Sequence, residues 1–311
     1  MAGGRAGDFG PRPRLPGVRR LPVAFPLMSL FLTGGTGFIG SHLLRQALES
    51  GREVVALRRP GSRPKLAMVA EPLWRETPFD QLTPEDFRGC TALVHLASVG
   101  VSPQKATWQE MMYWNVSATL RMLEQAHAAG VKRVVMAGTF AEYGRAADHY
   151  DPIPPDAPLL PTYGYAASKA AAFTAAHAFA IEHGMELCYL RIFSAFGEGQ
   201  FAANFWPALK EAAESGRDFD MTPGEQVRDY VPVEMVARAF LHAAGRADMS
   251  SAQPFVRNVG AGHPVSMREF AEHWWRQWGA TGELRVGALP YRANEVMRFV
   301  PQILGDEIEV S

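Results

Sequence analysis

The stretch Leu30-Phe31-Leu32-Thr33-Gly34-Gly35-Thr36-Gly37-Phe38-Ile39-Gly40-Ser41-His42-Leu43-Leu44 runs four strand residues into a glycine turn and then a helix. Strand, glycine turn and helix in that order build the phosphate end of a dinucleotide site. Gly34 can take the backbone angles of a tight turn, Gly37 lets the main chain approach a pyrophosphate, and Gly40 lets the helix lie close to the strand. The helix N-terminus then meets the phosphates with free N–H groups. Surface turns supply such glycine spacings by chance, so context decides. Here Phe38, Ile39, Leu43, Leu44, Ala47 and Leu48 repeat at helical spacing until Gly51 stops the helix.

The chain has 311 residues, enough for one large or two small domains, and a hydrophobic fraction of 47% that suits a globular protein with a sizeable core. Its formal net charge is −1, and no basic stripe points to nucleic acid. No uninterrupted apolar run approaches the roughly 18 residues of a membrane span. Cys90 and Cys188 stand far apart without paired spacing, so neither a disulfide scaffold nor a zinc site is expected, which suits a reducing cytoplasm. The histidines form no HExxH pair, and the spacing of His177 and His183 does not put them on one helical face, so no metal is expected.

Residues 1–27 are dominated by Gly, Arg and Pro and are expected to be a disordered extension, with Met28 as the natural start. From Gly51 strands and helices alternate. Glu53 to Leu57 reads as a strand, Trp74 and its neighbours as a short one, and Ala92 to Ala97 as a buried one. Thr83-Pro84-Glu85-Asp86 reads as a helix start, with a capping Thr, Pro in the first turn and acids against the dipole. Thr107 with Glu110 opens one long helix from Trp108 to Ala129. Val134 to Ala137 is the next strand, Ala166 to His183 an alanine-rich helix, and Leu187 to Ile192 another strand. This predicts an α/β doubly wound parallel sheet, with ligands at the C-terminal ends of its strands. After Ser194 the rhythm breaks, with one helix at Glu234 to Ala244 and another opened by Ser266 and Glu269. The expected division is residues 28–193 for the nucleotide-binding domain and 194–311 mainly for a small cap, some segments returning to the first domain. Phe270, Trp274, Trp275 and Trp278 form an apolar face that fits core packing better than sugar stacking.

Tyr165 and Lys169 sit at i,i+4, on one face of the alanine-rich helix. A free tyrosine titrates near pH 10, so a useful phenolate near pH 7 needs about 4 kcal/mol of electrostatic help. A fixed lysine and the charge of an oxidised nicotinamide can supply it, making Tyr165 the general acid or base for a carbonyl/alcohol pair. Thr139, at a strand end, can hold the same substrate oxygen. Glu142-Tyr143-Gly144 follows it without an obvious role.

Thr33-Gly34-Gly35-Thr36-Gly37-Phe38-Ile39-Gly40, then Thr139 with Tyr143-Gly144, then Tyr165 and Lys169 resemble the extended short-chain dehydrogenase/reductases of the NAD-dependent epimerase/dehydratase family. The resemblance continues through His95-Leu96-Ala97, Asn115, Arg191 to Gly197, Arg228-Asp229-Tyr230-Val231 and Asn258-Val259-Gly260, covering about residues 29 to 300. It implies a Rossmann fold and an oxidoreductase with Thr139, Tyr165 and Lys169 catalytic. Implied cofactor contacts are Gly34, Gly37, Phe38, Ile39, Gly40, Leu96, Ala97, Tyr165, Lys169 and Ile192, and the charges of Arg58 and Arg59 add those two at the ribose. Arg228, Arg292 and Glu295 match the residues around a substrate's diphosphate, and a guanidinium fork suits phosphate oxygens. A nucleotide-sugar substrate and a homodimer are implied as well.

Two departures from the family stand out. Arg58, with Arg59 beside it, occupies the place where NAD-preferring relatives carry an acid for the ribose hydroxyls, so NADP(H) is expected over NAD(H). The chain also stops soon after Pro301, where many relatives continue. Phe140 and Ala141 replace the acid pair that a 4,6-dehydratase needs after its Thr, which excludes that chemistry. The favoured function is reduction at C4 of a nucleotide sugar, with nucleotide-sugar epimerisation as the alternative. A non-catalytic cofactor-sensing module and a reductase of other small ketones or aldehydes are the remaining readings.

Overall fold

The structure is a computed structural model that describes residues 29–101, 104–291 and 295–304. Strands β1 (Leu30–Thr33), β2 (Val54–Leu57), β3 (Leu73–Arg75), β4 (Ala92–His95), β5 (Arg133–Thr139) and β6 (Glu186–Ile192) are joined by β10 (Phe255–Val259) in one sheet. Its order is β10-β6-β5-β4-β1-β2-β3, and every pair is parallel. Helices cover both faces: α1 (Phe38–Glu49) and α6 (Val233–Gly245) lie on one, α3 (Ala118–Ala128) and α4 (Gly164–Glu182) on the other. The chain is therefore a doubly wound α/β protein of Rossmann type.

The alternation of strand side chains divides the core. Leu30, Leu32, Val54, Ala56 and Val94 pack toward α1 and α6, while Phe31, Val55, Leu57 and Leu93 pack toward α3 and α4. Strands buried on both faces read as continuous apolar runs, and β1, β2 and β4 do. The alanines of α4 have the strongest helix propensity and let the helix sit close to the sheet, with Ala166, Ala172, Ala176 and Ala180 buried.

A second sheet forms around β9 (Val227–Pro232), paired with β7 (Ser194–Phe196), β11 (Pro264–Ser266) and β13 (Arg298–Phe299). Beside it, α5 (Phe205–Glu214) and α7 (Met267–Gln277) pack with β8 (Phe219–Met221) and β12 (Leu284–Val286) around Leu209, Ala271 and Trp275. The Ser266/Glu269 capping box opens α7 as expected. Trp274 and Trp278 stack within this layer, so they are packing residues.

Three elements differ from the sequence reading. The Thr83/Asp86 capping box forms, but it heads only a single 3-10 turn, Pro84–Phe87, because the chain turns at Arg88 to enter β4. The expected helix from Trp108 to Ala129 is interrupted: α2 (Trp108–Met112) passes through a π-helical turn, Tyr113–Ser117, before α3. Helix α5 is not among the elements expected after Ser194; its Pro207 falls in the first turn, where no intrahelical N–H bond is lost. Residues 1–28, Arg292 and the chain after residue 304 lie outside the described residues, and with them the expectations placed there. Among the described residues no helix is long and apolar enough to cross a membrane, and no group of His, Cys, Asp and Glu is arranged to hold a metal.

Candidate active site

The glycine turn does what the sequence asks of it. Gly34 has φ +76°, and a Cβ there would lie 2.8 Å from the Ala97 nitrogen and the Leu96 carbonyl carbon, so the turn presses against the end of β4. A Cβ at Gly40 would overlap the Gly34 carbonyl oxygen. At Gly37 a Cβ would meet only that oxygen, at 3.2 Å. Gly37 is the N-cap of α1, with no side-chain cap and no acid in the first turn, so the N–H groups at Phe38 and Ile39 are kept for an anion.

His95 and Thr33 lock this turn to its neighbours. Hydroxyls stand at both ring nitrogens, Thr33 Oγ1 at 2.7 Å from Nδ1 and Thr119 Oγ1 at 3.2 Å from Nε2. Thr119 Oγ1 already donates to the Trp114 carbonyl, so the bonding closes with a neutral ring protonated on Nε2. Burial and the Lys169 charge push the His95 pKa down to about 3, in keeping with that neutral ring. Ala97 N donates to Thr33 Oγ1 at 3.3 Å, which fixes Leu96 and Ala97 at the edge of the site.

Arg58 and Glu76 meet where β2 and β3 end. Arg58 Nε donates to Glu76 Oε1 at 2.9 Å, and the guanidinium carbon lies 4.7 Å from the Trp74 ring centre. Arg59, next in the chain, is exposed.

Thr139 ends β5, paired in register with Ile192 of β6. Its hydroxyl caps the following 3-10 turn by accepting from Ala141 N at 3.3 Å, and its own N–H donates to Glu142 Oε1 at 2.9 Å. Helix α4 packs against this turn and carries the half-buried Tyr165 and, one helical turn on, the buried Lys169. Burial raises the Tyr165 pKa well above the ordinary phenol value, with the Glu142 carboxylate and Tyr163 adding to it and a hydrogen bond to Ser98 opposing it. Burial lowers the Lys169 pKa, and Glu142 works against that. Tyr165 is thus a neutral phenol in this form, and an added positive charge beside it would ease its ionisation.

Asn115, from the π-helical turn, holds the opposite wall. Its Oδ1 accepts from Ser98 Oγ at 3.1 Å and Val99 N at 2.9 Å, while Nδ2 donates to Val99 O at 3.0 Å and Ser168 Oγ at 2.9 Å. One buried amide therefore ties the loop after β4 to α4 and places Ser98 at Tyr165.

Behind Thr139 the site rests on a buried polar network. Glu142 Oε2 accepts from Arg191 Nε at 2.7 Å, and Glu142 Oε1 also accepts from Tyr189 OH at 2.9 Å. Arg191 donates further to Pro155 O at 2.7 Å, and Tyr143 OH donates to Asn258 Oδ1 at 2.6 Å. Phe140 turns away from this network and packs on Phe193 and Phe299, at ring-centre distances of 5.6 and 4.9 Å. Phe299 in turn underlies Arg228, whose guanidinium carbon is 5.4 Å from its ring centre. Arg228 Nη2 donates to Glu295 Oε1 at 2.9 Å and to Val296 O at 2.7 Å, so two of the three residues assigned to the substrate pair with each other.

A sequence profile of the NAD dependent epimerase/dehydratase family matches residues 30–260. The chain belongs to that family. It is an enzyme, and it shares 24% identity over 283 residues with CDP-abequose synthase of Salmonella muenchen, covering 86% of this chain and 87% of that protein. With UDP-glucose 4-epimerase of Streptomyces lividans it shares 29% over 262 residues, 78% of each chain. Among solved structures, MoeE5 in complex with UDP-glucuronic acid and NAD superposes with a TM-score of 0.76 at 30% identity, covering 88% of this chain and 90% of that one.

The family's nicotinamide dinucleotide fits the residues present: Gly34, Gly37 and Gly40 leave a cradle that side chains would fill, and α1 begins uncapped. Ser98, Glu142 and Glu76 were missed as site residues in the sequence. Glu142 stood beside Thr139 with no visible partner, Arg191 being on another strand, and nothing local marks Ser98 or Glu76.

Proposed function

We propose that this enzyme moves a hydride between a nicotinamide dinucleotide and C4 of a nucleotide sugar. The observation that carries the proposal is the packing of α4, with Tyr165 and Lys169 on it, against the turn that follows Thr139, with Phe140 and Ala141 where a 4,6-dehydratase needs acids. The nicotinamide supplies the hydride acceptor and donor. Tyr165 takes the proton of the C4 hydroxyl, or returns it, while Thr139 and Ser98 hydroxyls orient the oxygen. Lys169 keeps a positive charge next to the phenol and lowers the cost of its ionisation. Arg228, and Arg292 by the family pattern, take the diphosphate; when that anion arrives it competes with Glu295 for Arg228. In this reading residues 28–193 bind the dinucleotide and 194–311 mainly form the substrate cap.

Of the two reactions at C4, epimerisation is favoured over one-way reduction of a 4-keto sugar. An epimerase keeps its dinucleotide and has no need of the NADP(H) pool. The pairing of Arg58 with Glu76 removes much of the charge that favoured NADP(H), and MoeE5 was solved with NAD. Reduction with NADP(H) is the second reading, supported by the exposed Arg59. A homodimer is proposed too, on the exposed Trp108, Tyr113 and Tyr163 of the α2 and α4 side. Incubation with UDP- and CDP-hexoses, followed by proton NMR at C4 and by nicotinamide absorbance, tests the reaction. Interconversion of C4 epimers without net cofactor turnover is expected. Net oxidation or reduction would establish the second reading, and no reaction with any nucleotide hexose by a dinucleotide-loaded enzyme would sink both.

A further inference from the structure

We infer that Glu76, delivered from the end of β3, decides which dinucleotide this site accepts at the ribose 2′ position. The inference rests on the proposed dinucleotide site and names the residue within it that discriminates. In doubly wound folds the acid that bonds the ribose 2′-hydroxyl usually ends the second strand. That place is held here by Arg58. The sheet order sets β1, β2 and β3 side by side and parallel, so the glycine turn, Arg58 and Glu76 emerge at the same edge.

The register makes Arg58 and Glu76 neighbours. Leu57 pairs with Arg75, and Arg58 N–H donates to the Arg75 carbonyl at 2.9 Å, which carries the ladder one step past the strand and sets Arg58 opposite Glu76. Their side chains close the step at 2.9 Å. Trp74 lies under the guanidinium, and its own Nε1 donates to Glu71 Oε2 at 2.7 Å, which holds the ring in place. Arg58 is therefore a paired cation set between a carboxylate and an aromatic face.

Such a pair reads the two dinucleotides differently. A ribose diol finds the Glu76 carboxylate as a hydrogen-bond acceptor, the service an acid on β2 would give. A 2′-phosphate brings negative charge to the same carboxylate and must displace it from Arg58, a repulsive element that selects against the phosphorylated cofactor. Removing the carboxylate leaves Arg58 and Arg59 together to receive a phosphate.

Calorimetric titration of wild type, Glu76→Gln, Arg58→Ala and the double variant with NAD+ and NADP+ tests this without any substrate. Wild type is expected to bind NAD+ more tightly, and Glu76→Gln to move the ratio of Kd values toward NADP+ by about tenfold or more. Adding Arg58→Ala to Glu76→Gln should remove that gain. Melting temperatures should barely differ, since the ion pair is partly exposed. A ratio unmoved by Glu76→Gln, or tighter NADP+ binding by wild type, overturns the role of Glu76 and leaves the dinucleotide site standing. Failure of wild type to bind either dinucleotide overturns the site and the inference with it.

Discussion

Arg191 Nε donates to Glu142 Oε2 at 2.7 Å, with both side chains sealed from solvent, at 1% and 0% exposure. The same carboxylate holds the N–H of Thr139, so the strand end that presents the Thr139 hydroxyl, catalytic in the proposed mechanism, is anchored to an ion pair inside the protein.

Breaking one side of that pair strands the other charge in a poorly solvated place. Glu142→Gln is expected to destabilise the fold by about 3–5 kcal/mol in urea titrations. Joining it to Arg191→Met should cost less than the two single changes summed, because the second removes the charge that the first leaves alone. Simple additivity would mean that the pair is not coupled.

Tyr165→Phe deletes one hydroxyl and leaves the ring. Turnover should fall by about 10²- to 10⁴-fold while dinucleotide affinity stays nearly unchanged. Lys169→Ala should lose both, since Lys169 is expected to touch the nicotinamide ribose as well as the phenol. Full activity in Tyr165→Phe would remove the tyrosine from the mechanism.

The glycines allow fold and binding to be separated. Gly40→Ala sets a methyl against the Gly34 carbonyl and should lower stability and dinucleotide binding together. Gly37→Ala meets only one oxygen, at 3.2 Å, so its melting temperature should stay near that of wild type while dinucleotide affinity drops. Thermal melts with and without NAD+ read both effects. Undiminished binding by Gly37→Ala would mean that the pyrophosphate does not pass over this residue.

His95 gives the fold an acid-side dependence. Its pKa is pushed down to about 3 in the folded protein, against roughly 6.5 in an unfolded chain. Between those values the unfolded chain takes up a proton that the folded one refuses, so stability falls as pH is lowered through this window. The slope from this group is at most about 1.4 kcal/mol per pH unit, and it vanishes below the folded value. His95→Asn should flatten the decline in urea midpoint between pH 6.5 and 4. An identical slope in both proteins would assign the loss to other groups.

What the sequence makes legible is what lies close along the chain. The glycine turn and the Tyr165/Lys169 pair are each set by fewer than a dozen consecutive residues, and local periodicity places them on a turn and a helix face. The strands of the parallel sheet read from their apolar runs for the same reason. Glu142 with Arg191, Arg58 with Glu76 and Asn115 with Ser168 are pairings across strands or between separate elements, decided by sheet order and register. Arg58 shows the effect most clearly: in sequence it is a cation where an acid is expected, and in the fold the acid arrives from the adjacent strand. The interruption near Asn115 stayed hidden because apolar spacing continues through it.

A π-helical turn is the form an α-helix takes when it absorbs one residue more than its turns can hold. The segment Tyr113–Ser117 is therefore a matter of chain length as well as side-chain identity. Deleting a single residue from it would let the segment close into ordinary α-helical turns while Trp108 and Met111 keep the face they share with Gly164, because the extra residue is taken up inside the turn and the helix on either side is not rotated. Counting residues through this helix as though it were uniform misaligns everything on its N-terminal side by one position, so the frame of reference for comparing α2 with other chains has to be reset at Asn115.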